Sequence, residues 1–209
     1  DGHALSKRLD SLSIGHLREA GLEPLAVITH AALIGTSDAI EPKADLDALA
    51  AGFDFAKISM APARFDEAEL ANLNARLLHT RPFGEVAERL AALGVGGGAE
   101  FWAAIRGNVG VLADAAGWWR IATEPITPLI EDAAYTTAAA GLLPPEPWDT
   151  TTWSQWTGAI KAATGAKGRA LFHPLRLALT GREDGPELKT FLPFIGRARA
   201  HARLSGETA

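Results

Sequence analysis

Leu70, Leu73, Leu77 and Leu78 recur at the three- and four-residue spacing of a single helix face, just behind Asp66 and among charged and polar positions. Apolar residues at that spacing form a stripe that a helix buries on one side. An aspartate immediately before such a stripe accepts hydrogen bonds from the first-turn amides. The pattern predicts a helix over 67–78. By the same logic Ser13 opens a helix over 14–20 that Gly21 stops, and Pro24 serves as an early-turn residue for 25–33. That second segment is apolar nearly all round, which predicts a buried helix. Asp45 opens a short helix ending at 51, and another runs over 83–93 up to Gly94 and the run Gly96-Gly97-Gly98. Further helices are predicted over 99–106 and 109–119, the latter closing on Trp118 and Trp119. Gly141–Pro147 holds the strongest breakers, because each proline withdraws an N–H and restricts the residue before it. This stretch is expected to separate two helical bodies. Beyond it, helices are predicted over 151–164, 167–179, 186–194 and 196–204, with turns at Gly165 and over 181–185. No extended alternation of β-branched residues occurs, so the chain reads as all-α.

Composition narrows the class. The 209 residues are 47% hydrophobic and 22% charged, ordinary values for a globular protein. No apolar run reaches the roughly 18–20 residues that span a bilayer, and the start lacks the order of a signal peptide. With no cysteine there is no disulfide framework and no thiolate site. The chain is expected to be cytoplasmic. It begins Asp1-Gly2, and its single methionine is Met60, as expected of an excised segment of a longer product. The net charge of −5 argues at first against a nucleic-acid partner. The balance is uneven, however: residues 167–209 hold eight Lys and Arg against four acids, whereas residues 1–166 carry a charge of −9. A basic end on an acidic body either turns one face toward an RNA or is simply solvated.

Among candidate sites, Gly2 followed by Ser6, Lys7 and Arg8 suits a phosphate loop, since glycine admits close backbone approach and the two cations add charge. The same residues also occur on solvated surfaces. The glycine run at 96–98 lacks the Lys-Ser/Thr ending of a phosphate loop and no strand precedes it, so it reads as a linker between helices. Trp118 and Trp119 read as core, with base stacking the alternative. The six histidines show no metal-ligand spacing, and no metal is expected. Asp66, Glu67 and Glu69 look like a helix start rather than catalytic carboxylates.

Leu5-Ser6-Lys7-Arg8, behind Asp1-Gly2, resembles the Lys-Leu-Ser-Lys-Arg variant of the KMSKS signature of class I aminoacyl-tRNA synthetases, as carried by bacterial glutamyl-tRNA synthetases. Similar text follows: Leu12-Ser13-Ile14, Leu17-Arg18-Glu19, Gly21-Leu22-Glu23-Pro24, and Leu33-Ile34-Gly35 before Ser37-Asp38. Far downstream, Phe172 to Gly181 and then Gly185-Pro186-Glu187-Leu188 resemble the signature of that family's last domain. The family's first motif lysine is Ala4 here.

The resemblance implies a helical stem-contact region over 1–80 followed by two small helical anticodon-side domains, 81–135 and 136–209. It implies part of an ATP-dependent, AMP-forming glutamate–tRNA ligase. Lys7 is the implied catalytic residue, stabilising charge on the pyrophosphate leaving group, with Ser6 and Arg8 completing the ATP loop Ala4–Arg8. ATP, with magnesium in the full-length enzyme, is the implied cofactor; the nucleotide-binding domain with the HIGH signature and glutamate pocket is expected before residue 1. The fragment alone is therefore expected to be inactive and to hold no ATP. Arg176, Gly185, Pro186 and Leu188 are the implied anticodon contacts, with Arg106 on a helix that in relatives approaches the third anticodon base. Lys189 stands where some relatives place an aromatic. The implied partner is tRNA(Glu), with tRNA(Gln) a second candidate, and the implied state is a monomer. Without the resemblance, a free-standing helical interaction module is the competing reading.

Overall fold

Capping chemistry sets the start of most helices in the first part of the chain. The computed structural model describes residues 13–209 and holds twelve α-helices there, with Thr36 and Ile58 forming an isolated antiparallel bridge. Ser13 Oγ accepts from His16 N at 3.0 Å and opens α1 (Ile14–Glu19). Pro24 takes the first helical position of α2 (Pro24–Leu33), where its missing N–H has no intrahelical partner to lose. Asp45 caps α3 (Leu46–Gly52), and Asp66 accepts from Ala68 N and Glu69 N at the start of α4 (Glu67–Thr80). Next come α5 (Phe83–Ala92) and α6 (Gly98–Ile105), joined by the glycine run, which is the helix linker that the sequence suggests. Gly97 sits there at φ +75°, and a Cβ on it would lie 2.6 Å from the Cβ of Phe101.

The next two elements differ from expectation. The helix predicted over 109–119 starts later, as α7 (Asp114–Thr123). Asp114 Oδ2 accepts from Gly110 N and Val111 N at 2.8 and 3.0 Å, so these two residues belong to the turn that the carboxylate holds rather than to the helix. α8 (Ala133–Gly141), capped by Asp132, is not predicted at all, because its Ala- and Thr-rich sequence shows no apolar stripe. The remaining helices fall near their expected places: α9 (Thr152–Thr164), α10 (Arg169–Thr180), α11 (Leu188–Ile195) and α12 (Arg197–Leu204). No helix among the described residues is long and apolar enough to cross a membrane.

Contacts divide the chain into two compact units. The first comprises the described residues up to Pro82 together with Val109–Asp114, the second Phe83–Asn108 and Ala115–Ala209. In the first, α2 packs on α4 around Leu17, Ala26, Leu70, Leu73 and Leu77. Asn74, fully buried, accepts from Glu23 N and donates to Gly110 O, both at 2.7 Å, tying α4 to the start of α2 and to the 109–114 segment. In the second unit α6 and α9 both pack on α11, and α12 packs on α8 and α10.

The Gly141–Pro147 stretch lies within this second unit rather than between two bodies. α8 before it packs on α9, α10 and α12 after it, and Arg197 N donates to Glu146 Oε1 at 2.9 Å. The prolines end a helix and turn the chain back onto the same core. Buried Trp156 crosses the turn, its Nε1 donating to Ala139 O at 2.9 Å.

Arg203 departs furthest from the expected solvated basic face. Its side chain is fully buried on α12 and pairs with no Asp or Glu side chain among the described residues. Nε donates to Ala209 O, Nη1 to Ile121 O and Leu179 O, and Nη2 to Glu124 O, at 2.7 to 2.9 Å. Glu124 follows α7 and Leu179 lies near the end of α10, so one guanidinium neutralises carbonyls that helix ends leave unpaired. Burial, with a lesser effect from Arg199, lowers its pKa to about 10, which keeps it charged at neutral pH.

Candidate nucleic-acid interface

α10 ends at Gly181, and the chain then makes a turn that enters α11 at Leu188. Thr180 Oγ1 shapes this exit by donating to Arg176 O at 2.8 Å and accepting from Arg182 N at 3.2 Å. One helical turn earlier, Arg176 reaches across the mouth, and its Nη2 donates to Pro186 O at 3.0 Å. The other terminal nitrogen, Nη1, is buried and has no hydrogen-bond partner among the described residues. Burial lowers the Arg176 pKa, and the Asp184 carboxylate opposes that shift; the group remains a cation at neutral pH.

The floor of the turn is Trp118, on α7. Its indole is 5% exposed, donates from Nε1 to Asn108 O at 3.1 Å, and meets the Phe191 ring edge-on with centroids 6.1 Å apart. The Arg182 guanidinium lies over the ring, 4.8 Å from its centroid. Gly185 presses against the same ring at φ +137°, where a Cβ would fall 2.4 Å from the indole. Both the backbone angle and the space demand glycine. Gly185→Ala is therefore expected to lower the unfolding free energy by about 1–3 kcal/mol, the cost of strain and overpacking, measured by urea denaturation.

The structure brings most of the expected anticodon contacts into one neighbourhood. Arg176, Gly185, Pro186 and Leu188 line one turn, and Trp118 links that turn to Arg106–Asn108, the short 3-10 segment that ends α6 and contains Arg106. Their exposures differ. Pro186 and Leu188 are buried, so the surface of the turn is the backbone around half-buried Gly185, with half-buried Arg176 beneath it. Arg106 is half-buried and Lys189 exposed. Arg182 and Trp118 were not singled out as parts of this site by the sequence. Trp118 lies on a different helix, and its core role, which the sequence did suggest, gives no hint of what rests on it. Ser6, Lys7, Arg8 and the loop Ala4–Arg8 lie outside the described residues.

Comparison with known proteins matches this region directly. Residues 128–206, which include α8 to α12 and the Arg176 turn, match the family model described as "Anticodon binding domain". The chain thus carries an anticodon binding domain of the kind found in aminoacyl-tRNA synthetases. Over its whole length it is homologous to glutamate–tRNA ligases. It is 57% identical over 210 residues to glutamate–tRNA ligase 2 of Methylobacterium sp. (strain 4-46), covering all of this chain and 47% of that protein. Glutamate–tRNA ligase 2 of Methylorubrum populi is 56% identical over 211 residues, with the same coverage. The chain thus spans about half the length of the curated relatives it matches. The fold agrees: a glutamate–tRNA ligase from Elizabethkingia meningosepticum superposes with a TM-score of 0.71 at 20% identity, and one from Elizabethkingia anophelis with 0.69 at 18%. Each covers 90% of this chain, which covers 41% of each.

Proposed function

We propose that this chain docks a tRNA and reads its anticodon through the turn between α10 and α11, within a polypeptide that attaches glutamate to tRNA(Glu). The observation that carries this reading is Arg176. A planar fork, half-buried at the mouth of a turn, spends one nitrogen on the Pro186 carbonyl and keeps Nη1 unpaired. An unsatisfied buried donor costs about 1–3 kcal/mol, and such groups concentrate where function supplies the acceptor. Single-stranded anticodon bases, splayed from the loop, present acceptors on their edges to such an arginine. The family match over 128–206 supports the assignment. In the whole polypeptide, ATP-dependent activation of glutamate would draw on Lys7, Ser6 and Arg8, with Lys7 holding charge at the phosphates; tRNA(Gln) is a second candidate substrate.

The test is titration of tRNA(Glu) against the chain at several salt concentrations. Binding is expected to weaken with log salt, by a slope of about 0.7 per phosphate neutralised in single-stranded regions. Absence of binding at low salt, or binding indifferent to salt, would favour a helical interaction module without an RNA partner.

A further inference from the structure

A second surface on α10 has the makings of a nucleotide site that the anticodon turn does not use. Between α9 and α10 lies an open groove of about 440 Å³. That falls within the roughly 300–1,000 Å³ typical of small-ligand sites. One wall is aromatic: half-exposed Trp153 and Phe172 stack with ring planes 29° apart and centroids at 6.1 Å. Phe172 leaves 43% of its surface in water, an unusual position for a phenylalanine on a well-packed helix. Trp156 backs Trp153 edge-on at 5.6 Å and fixes the shelf from beneath. The rim carries Lys161 and Lys167, both exposed, and no carboxylate among the described residues lines the groove. Neither lysine forms an ion pair among the described residues. His173, next to Phe172 on α10, faces Glu131 at 3.7 Å. Gly158, with open space where its side chain would be, keeps the α9 wall low.

An aromatic shelf beside unpaired cations suits one occupant best: a nucleobase on the rings with its phosphates on the lysines. An acidic peptide would use the lysines but leave the exposed shelf without a role. Phe172 precedes Arg176 by one turn of the same helix, about 6 Å along its axis. A strand whose base is read at Arg176 can thus continue along α10 into the groove. We propose that the α9–α10 groove binds a nucleotide of the bound RNA outside the anticodon triplet, with the base on Trp153 and Phe172 and phosphate on Lys161 and Lys167. This rests on the anticodon reading of the α10–α11 turn.

The experiment titrates a fluorescently labelled tRNA(Glu) transcript against the chain and three variants, Phe172→Ala, Lys161→Gln/Lys167→Gln and Arg176→Ala, each first shown to melt as the parent does. The lysine pair is exposed, so its replacement leaves the core intact even if Phe172→Ala disturbs packing. The lysine variant is expected to bind about tenfold more weakly at low salt, with a salt slope shallower by about 1.4, two phosphate contacts at roughly 0.7 each. Phe172→Ala is expected to lose about five- to tenfold in affinity with its salt slope unchanged. Parent-like affinity and slope in both groove variants, beside a weakened Arg176→Ala, would overturn the groove proposal while leaving the anticodon reading in place; this is also the result that an acidic-peptide site predicts. Failure of the parent to bind the transcript would instead overturn the anticodon reading, and the groove proposal with it.

Discussion

Replacing Arg203 with methionine is expected to lower the unfolding free energy of the second unit by about 3–5 kcal/mol, a large share of the stability of an ordinary domain. Methionine fits much of the space, but it removes the donors to Ile121 O, Glu124 O and the buried Leu179 O, and leaves Ala209 O with Ile126 N alone. Arg203→Lys is expected to recover little. An ammonium is a compact charge on a flexible stem, whereas these four bonds need donors spread over three nitrogens of a planar group. All six tryptophans lie in the second unit, so tryptophan fluorescence during urea denaturation reports on it. A midpoint within about 1 kcal/mol of the parent for Arg203→Met would show that the surrounding helices satisfy those carbonyls in another way.

The second large effect is on RNA rather than stability. Arg176→Ala is expected to weaken tRNA(Glu) binding by about ten- to a hundredfold, the range for losing a forked arginine contact to a base edge. Its cost in stability should be smaller, about 1 kcal/mol, since among the described residues its guanidinium makes a single hydrogen bond, to the neutral carbonyl of Pro186. This split between a large loss of affinity and a small loss of stability separates a reading residue from a packing residue. Arg176→Lys restores charge but not the fork, and its affinity should lie between the two. Filter binding alongside urea denaturation measures both quantities on the same preparations.

Local rules carried the reading of the fold as far as each helix signals itself. Ser13, Asp45 and Asp66 cap where their hydroxyl or carboxylate predicts, and the leucine stripe of α4 is the core of the first unit. Misplacements arise where the signal is long-range or missing. Nothing in Ala133–Gly141 marks a face, because alanine serves surface and core alike; α8 becomes visible through the helices that cover it. Val109 to Leu112 look helical by composition, yet the Asp114 carboxylate claims the amides of Gly110 and Val111. Gly141–Pro147 breaks the chain as read, but a break in the helix is not a break between bodies when the flanking helices share a core.

For the candidate site, the resemblance to glutamyl-tRNA synthetases brought out Arg176, Gly185, Pro186 and Leu188, and local chemistry alone would not have done so. What was not legible is the support. Trp118 is 67 positions before Gly185, and only the folded chain shows that the glycine exists because the indole is there. Charge counting misled in one respect: Arg203 adds to the basic end on paper but faces inward on four carbonyls, and Arg176 is half withdrawn from solvent. A sequence shows that a cation is present; whether it faces an RNA or a helix end is decided by packing.

The central claim is that the turn between α10 and α11 reads an anticodon, and competition between tRNAs differing only there tests it most directly. Labelled tRNA(Glu) bound to the chain would be displaced by unlabelled tRNA(Glu) or by the same transcript with its three anticodon bases replaced. The replaced transcript is expected to compete at least tenfold less well against the parent chain, and this difference should shrink in Arg176→Ala. Equal competition by the two transcripts against the parent would contradict the account.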